Sequence, residues 1–253
     1  MALHLKRLGT SVGYRRHTGE FLCDGMKLLE DAVNSGTTIT VALTAAPIPF
    51  PLPADTRVCH ADRGLINSLS PLKNAQDILF ACKMRGQGSA SIGQGAKGAP
   101  MPREIFFNGG THILLDNVQD PGNVGAIIRT ANAFNIKSVI FYGACADEHN
   151  PKTIRASMGA VFRQHTCKMD LEELAAIKDG GVRFIGAALG EGCRPVNDVD
   201  FRDAVIAIGS EGYGLRMEIR SLCDEMATIP IAPGSESLNA AVAASIIMWE
   251  AQR

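Results

Sequence analysis

The stretch that decides the fold is LLDNVQDPGNVGAIIRTANAF, residues 114–134. An apolar run ends at Asp116-Asn117, Pro121-Gly122 makes a turn, and an Ala/Ile-rich helix follows. Asn123 is placed to cap that helix, its side chain meeting the free amides of the first turn. Arg129 is the single charge in the helix, on one stripe with Gly125 and Asn132. Helical side chains lean toward the N-terminus, so Arg129 is expected to point over Gly125 toward the strand end. A cation there opposes the helix dipole by roughly 0.3–1 kcal/mol. A carboxylate such as Asp116, or a phosphate, is expected to offset that cost. In open α/β sheets ligands bind outside the carboxyl ends of strands, which favours the phosphate; a structural Arg–Asp pair is the other reading.

Downstream of this unit the chain alternates. SVIFYG, RFIGAAL, AVIAIG and MATIPI read as strands, and PKTIRASMGAVF, LEELAAIKDGG, GLRMEIRSLCD and SLNAAVAASIIMWEAQR read as helices. That alternation predicts a mainly parallel α/β sheet covered on both faces. AVIAIGSEGYGL runs a buried strand into Gly209, Gly212 and Gly214 around Glu211. Such glycines let backbone approach a flat ligand or phosphate, or simply make a turn; they do not form G-x-G-x-x-G. In IPIAPGSESLNAAVAAS two prolines stop the strand, and Ser237 or Asn239 opens the last helix.

Upstream, apolar residues 22, 26, 29 and 33 have helical spacing, TTITVAL and DILFACKM read as strands, and Asp62 opens a short helix. The segment MRGQGSASIGQGAKGAP has no acid and no hydrophobic period, which predicts a linker. The expected division is therefore 1–85, a linker at 86–103, and 104–253. Residues 1–103 carry 12 Lys and Arg against 7 Asp and Glu, while the remainder carries 13 against 19. A basic first part on an acidic second part points to a polyanion partner, with Lys6, Arg7, Arg15 and Arg16 as candidate contacts.

Composition excludes several classes. Of 253 residues, 46% are hydrophobic and 20% charged, as in an ordinary globular protein. The seven cysteines form no C-x-x-C pair, so reduced thiols in a cytoplasmic protein are expected. The six histidines show no paired metal-ligand spacing, so no metal is expected. The most apolar stretch, residues 39–54, is broken by four prolines, and neither a signal peptide nor a membrane span is expected.

Together, DNVQDPGNVGAIIR, IAIGSEGYGL and IPIAPGSESLNAAVA resemble the three motifs of the SpoU (TrmH-like) branch of the SPOUT class. Those are RNA ribose 2′-O-methyltransferases that use S-adenosylmethionine. IRASMGAVFR also fits, and order and spacing agree across residues 112–253. Residues 1–85 resemble, more loosely, the small α/β ribosomal-protein-like RNA-binding domain often fused ahead of it. The chain departs in its long Gly/Ser/Gln-rich linker and in NAAVAAS where NVSVA is usual.

The resemblance implies a C-terminal trefoil knot, although general topology rules argue against knots. It implies a homodimer with the first-motif and final helices at the interface. It places Asn123, Arg129, Glu211, Ser237 and Asn239 around the reacting hydroxyl. It places Ala188, Leu189, Gly209, Ile229, Ile231 and Leu238 against S-adenosylmethionine. The implied substrate is RNA, ribosomal RNA ahead of transfer RNA. A non-catalytic RNA-binding or ribosome-assembly protein with a relic methyltransferase domain is the alternative, and the intact polar motif residues argue against it.

Overall fold

The structure, a computed structural model, describes residues 1–73, 75–84 and 104–253. The linker expected at 86–103 lies outside the described residues. In chain order the first elements are α1 (Ala2–Thr10), α2 (Val12–Thr18), β1 (Glu20–Asp24), α3 (Met26–Asn34), β2 (Ile39–Thr44), β3 (Arg57–His60), α4 (Arg63–Leu69) and β4 (Ile78–Lys83). Then come α5 (Glu104–Phe107), β5 (His112–Asp116), α6 (Pro121–Ala133), β6 (Ser138–Tyr142), α7 (Pro151–Ser157), β7 (Thr166–Lys168) and α8 (Leu171–Asp179). Last are β8 (Arg183–Ala187), β9 (Arg194–Pro195), β10 (Ala204–Ile208), α9 (Met217–Leu222), β11 (Glu225–Thr228) and α10 (Ala240–Glu250). No helix among the described residues is long and apolar enough to cross a membrane.

The chain divides into two compact units, Met1–Ala99 with Asp147–Arg163, and Pro100–Ala146 with Gln164–Arg253. The first is built on a four-stranded sheet, β1-β4-β2-β3, antiparallel except for β2 with β3. Alternate residues of a strand face opposite sides. Phe21, Cys23, Phe80 and Cys82 face one way, toward Leu29 and Ala32 of α3 and toward Ile154, Val161 and Phe162. Leu22, Leu79 and Ala81 face the other way, toward Leu5 and Leu8 of α1 and Ile66 and Leu69 of α4.

This arrangement corrects two expectations. Residues 20–24 are a strand rather than the start of a helix; Gly25, at φ +119°, separates it from α3. Residues 147–163, expected with the second part of the chain, belong to the first unit, because Ile154, Val161 and Phe162 complete its apolar layer.

The second unit holds seven strands in the order β7-β6-β5-β10-β8-β11-β9, and every neighbouring pair is parallel. β5 and β10 are buried at every residue, which is why HILLD and AVIAI read as apolar runs rather than alternating ones. One face packs Leu114, Val205, Ala207 and Phe184 against Leu174 and Ile177 of α8 and Ile219 of α9. α6 and α10 lie against each other, with Thr130 Oγ1 3.2 Å from Ser245 Oγ and the Phe134 and Trp249 rings 5.8 Å apart. Because β10 sits between β5 and β8, and β11 beside β8, the carboxyl ends of four parallel strands line one edge.

His112, at the opposite end of β5, is fully buried. Its Nδ1 is 2.7 Å from Ser138 Oγ, its ring is 4.5 Å from that of Phe106, and Nε2 has no partner among the described residues. Burial, helped by the Lys137 charge and opposed by Asp203, lowers its pKa from 6.5 to about 4. A depressed His pKa means that the unfolded chain takes up the proton first as pH falls. This stability is therefore full above pH ~6.5 and lost between there and pH ~4, a change on the order of 3 kcal/mol. Urea midpoints should drop across that window and flatten in His112→Gln; an unchanged slope in the variant would remove His112 as the cause.

Candidate active site

The turn from β5 into α6 is fixed by Asp120, whose Oδ1 accepts the Asn123 N–H at 2.9 Å. This corrects the assignment of the cap to Asn123. Pro121 takes the first helical position, where its missing N–H costs nothing, so the cap is the residue before it. Asn123 is thereby free to bond outside its own helix.

Its amide Nδ2 donates to Glu211 Oε1 in the loop after β10. Its Oδ1 accepts from Asn239 Nδ2 at 3.0 Å. Asn239 Oδ1 in turn accepts the N–H groups of Ala241 and Val242 at 2.9 and 3.2 Å, capping α10. An ionised carboxylate only accepts, so Glu211 fixes which way the Asn123 amide faces, and Asn123 fixes Asn239. Residues 88 and 116 positions away from Asn123 thus join it in one directed chain.

The loop bearing Glu211 has its own support. Ser210 and Gly214 exchange two main-chain hydrogen bonds, at 3.2 and 2.9 Å. A Cβ on Gly209 would collide with the backbone of Gly214 and Leu215. The need for glycine here is thus met inside the loop itself. Glu211, Ser237 and Asn239 are exposed and Asn123 half-buried.

Arg129 is exposed and makes no hydrogen bond or ion pair among the described residues. Asp116, expected as its partner, is instead bound by Arg216. Six residues beyond Asn123, Arg129 leaves α6 roughly 240° further round, so it is not part of the Asn123 chain. Arg216 escaped the sequence reading because nothing local links position 216 to position 116; the Asp120 cap was legible in Pro121.

The residues expected against the cofactor sit in loops after β8, β10 and β11. Ala188 N–H still pairs with Ala227 O at 3.0 Å, and Leu189 is 48% exposed. Beyond Thr228 the chain leaves the ladder, so the peptide groups around half-buried Ile229 and Ile231 take no sheet partner among the described residues. Leu238 is half-buried one residue before the α10 cap. Apolar side chains beside unpaired peptide groups suit a purine, which needs both a flat apolar contact and main-chain donors and acceptors. The donor set fits S-adenosylmethionine.

In the first unit, Lys6, Arg7 and Arg16 are exposed, with the Arg7 guanidinium 5.6 Å from the Tyr14 ring centroid. Arg15 corrects the expectation of a fourth contact. It is 2% exposed, donates to Leu8 O at 2.7 Å, and forms two bonds to Asp147 Oδ2, at 2.6 and 3.1 Å. Asp147, Glu148 and His149 form the one trio of potential metal ligands among the described residues, and its Asp147 Oδ2 is the atom that Arg15 holds.

Residues 110–249 match the SpoU rRNA Methylase family. A 23S rRNA (guanosine(2553)-2′-O)-methyltransferase of Bacillus subtilis is 28% identical over 93% of this chain and 89% of its own. An AdoMet-bound rRNA methyltransferase from Sinorhizobium meliloti superposes with a TM-score of 0.83 at 26% identity, covering 99% of this chain and 93% of that one. The SpoU methyltransferase AviRb from Streptomyces viridochromogenes, in complex with AdoMet, gives 0.79 at 26% identity over 99% and 96%. With the family model covering more than half of its length and three separate motifs meeting at one sheet edge, this chain belongs to the SpoU family of RNA methyltransferases.

Proposed function

We propose that this protein transfers a methyl group from S-adenosylmethionine to a ribose 2′-hydroxyl of RNA, with ribosomal RNA as the substrate and transfer RNA as the less favoured one. The observation that carries the reading is the Glu211–Asn123–Asn239 chain at the carboxyl edge of the parallel sheet. S-adenosylmethionine supplies an electrophilic methyl on a sulfonium. The loops around Ala188, Leu189, Gly209, Ile229, Ile231 and Leu238 hold it. Asn123, Glu211, Ser237 and Asn239 present polar atoms that align the hydroxyl, since displacement demands a fixed line of attack. Arg129 keeps its proton in a protein, so it is not a base. Its guanidinium, which has no partner among the described residues, stabilises the developing alkoxide and orients a neighbouring phosphate.

The same proposal extends to the trefoil knot and the homodimer. After β11 the chain returns past β8 and β10 to bring Asn239 to Asn123, a path that supports threading of the C-terminal segment. α10 is apolar on all sides, yet Val242 and Trp249 are 47% and 55% exposed, which supports a second copy covering it. We place the protein in the cytoplasm.

The test is incubation with tritiated S-adenosylmethionine and unmodified ribosomal RNA, followed by mapping of alkali-resistant linkages. Label on a base, or no label, would overturn the reading. The RNA-binding role of residues 1–85 has its own test. In the full chain, Lys6, Arg7 and Arg16 changed together to Ala should flatten the salt dependence of RNA affinity by roughly two log units per log unit of salt. Affinity for S-adenosylmethionine should stay constant; an unchanged salt slope would move the RNA contact elsewhere.

A further inference from the structure

Asp116 ends β5 and is fully buried. Its Oδ2 accepts the main-chain N–H of Arg216 at 2.7 Å and its Oδ1 accepts Arg216 Nε at 2.6 Å. The guanidinium lies 4.3 Å from the centroid of the Tyr142 ring. Nη1 is 3.4 Å from Glu218 Oε1, which also accepts from the Tyr142 hydroxyl at 3.4 Å. Gly143, at φ +72°, leaves the remaining space: a Cβ there would collide with Arg216 Nη2 and Asn117 Oδ1. The ends of β5 and β6 and the start of α9 are thus tied to one side chain.

A buried carboxylate persists only when a cation and hydrogen bonds compensate its lost hydration. Here the compensation comes from the residue that closes the Glu211 loop. Residues 209–216 leave β10 at Gly209, fold back through the Ser210–Gly214 bridge, and end on Asp116 through Arg216. Asp116 and Asn123 stand at the two ends of the β5–α6 turn. That turn and the Glu211 loop are therefore joined twice, by an ion pair whose carboxylate is buried and whose guanidinium is partly exposed, and by the exposed bond between Asn123 and Glu211. The pairing also removes Asp116 as a partner for Arg129.

We propose that Asp116 and Arg216 are positioning residues, which hold Glu211 against Asn123 and so set the geometry of the polar chain that receives the ribose hydroxyl. The kinetic part rests on the methyl-transfer reading; the geometric part does not. Arg216→Lys keeps the charge but loses the Nε donor that reaches Asp116 and the planar group that lies over the Tyr142 ring. The first readout is hydrogen exchange at the Asn123 side-chain amide by nitrogen-15 NMR, with the signal identified by its loss in Asn123→Ser. Exchange in Arg216→Lys should quicken by about tenfold or more as the bond to Glu211 loosens. The second readout is kinetic: kcat on ribosomal RNA should fall by about tenfold or more while KM for S-adenosylmethionine stays within about threefold. In a Glu211→Gln background the same substitution should cost less than about twofold, because residues acting as one unit are not additive.

A purely structural pair would lower stability and leave the factors multiplicative. That result, or unchanged Asn123 exchange in a folded Arg216→Lys protein, overturns the proposal. Should Arg216→Lys not fold, Asp116→Asn with Arg216→Gln removes both charges and takes the same measurements. If the parent protein methylates no RNA, the functional reading fails, and Asn123 exchange alone decides the positioning.

Discussion

Arg129→Ala is expected to fold, to bind S-adenosylmethionine within about threefold of the parent, and to lose two orders of magnitude or more in turnover, the size typical of a removed transition-state donor. The three parts have separate grounds. Arg129 is exposed and holds no partner among the described residues, so truncation breaks nothing within the fold. Changes at such sites usually stay within about 0.5 kcal/mol of the parent. The loops proposed to hold the cofactor follow β8, β10 and β11, whereas Arg129 lies on α6, so cofactor affinity should hold. Turnover should fall because a cation with no partner among the described residues remains available to the substrate. Arg129→Lys should recover part of the loss, since an ammonium supplies charge without the planar fork. Titration calorimetry with S-adenosylmethionine and single-turnover methylation measure the two quantities. A variant that methylates at the parental rate would remove Arg129 from the chemistry, and one that unfolds would make it a structural residue after all.

Much of the second unit was legible because buried parallel strands are short apolar runs bounded by turn residues, a pattern that survives without knowledge of neighbours. The first unit was harder. Leu22, Met26, Leu29 and Val33 satisfy helical spacing, yet Leu22 faces α1 from a strand while Leu29 faces Phe21 from a helix. Only the Gly25 break distinguishes the two. α1 and α2 were hidden by their charge: Leu5 and Leu8 anchor α1, but the basic residues around them drew the reading toward a polyanion contact and not toward a helix. Which core receives residues 147–163 depends on long-range packing of Ile154 and Phe162, and no local pattern encodes that. At the site, the motif resemblance identified Asn123, Glu211 and Asn239 as members of one group. It did not supply their connectivity, nor the Asp116–Arg216 pair, because an Asp and an Arg 100 positions apart carry no shared local signal.

Arg15→Ala is expected to destabilise the first unit strongly and to leave the salt dependence of RNA binding as it is. Arg15 is in α2, and Asp147 lies 132 residues later in the same unit. The Asp147 side chain is 14% exposed. Burial pushes the carboxyl of Asp147 up, but hydrogen bonds and charge from Arg15, with help from His149, outweigh burial and hold it below the ordinary carboxylate range. Removing Arg15 leaves that mostly buried carboxylate with only His149 to compensate it, which costs up to about 3–5 kcal/mol and lowers Tm by up to roughly 20 °C. Replacing both partners by apolar residues, Arg15→Met with Asp147→Leu, should return most of the loss, because no lone charge remains. The pH dependence has a definite sign. A depressed carboxyl pKa contributes stability above the unfolded value of ~3.9 and loses it as pH falls through the folded value. In Arg15→Ala, protonation of Asp147 relieves the poorly compensated charge instead. The gap between parent and variant should therefore be widest near neutral pH and close under acid. Thermal melts from pH 7 to pH 3 read the gap directly. A gap that is small at pH 7 would show that the pair contributes little, and a flattened salt slope for RNA in the folded variant would return Arg15 to the RNA surface.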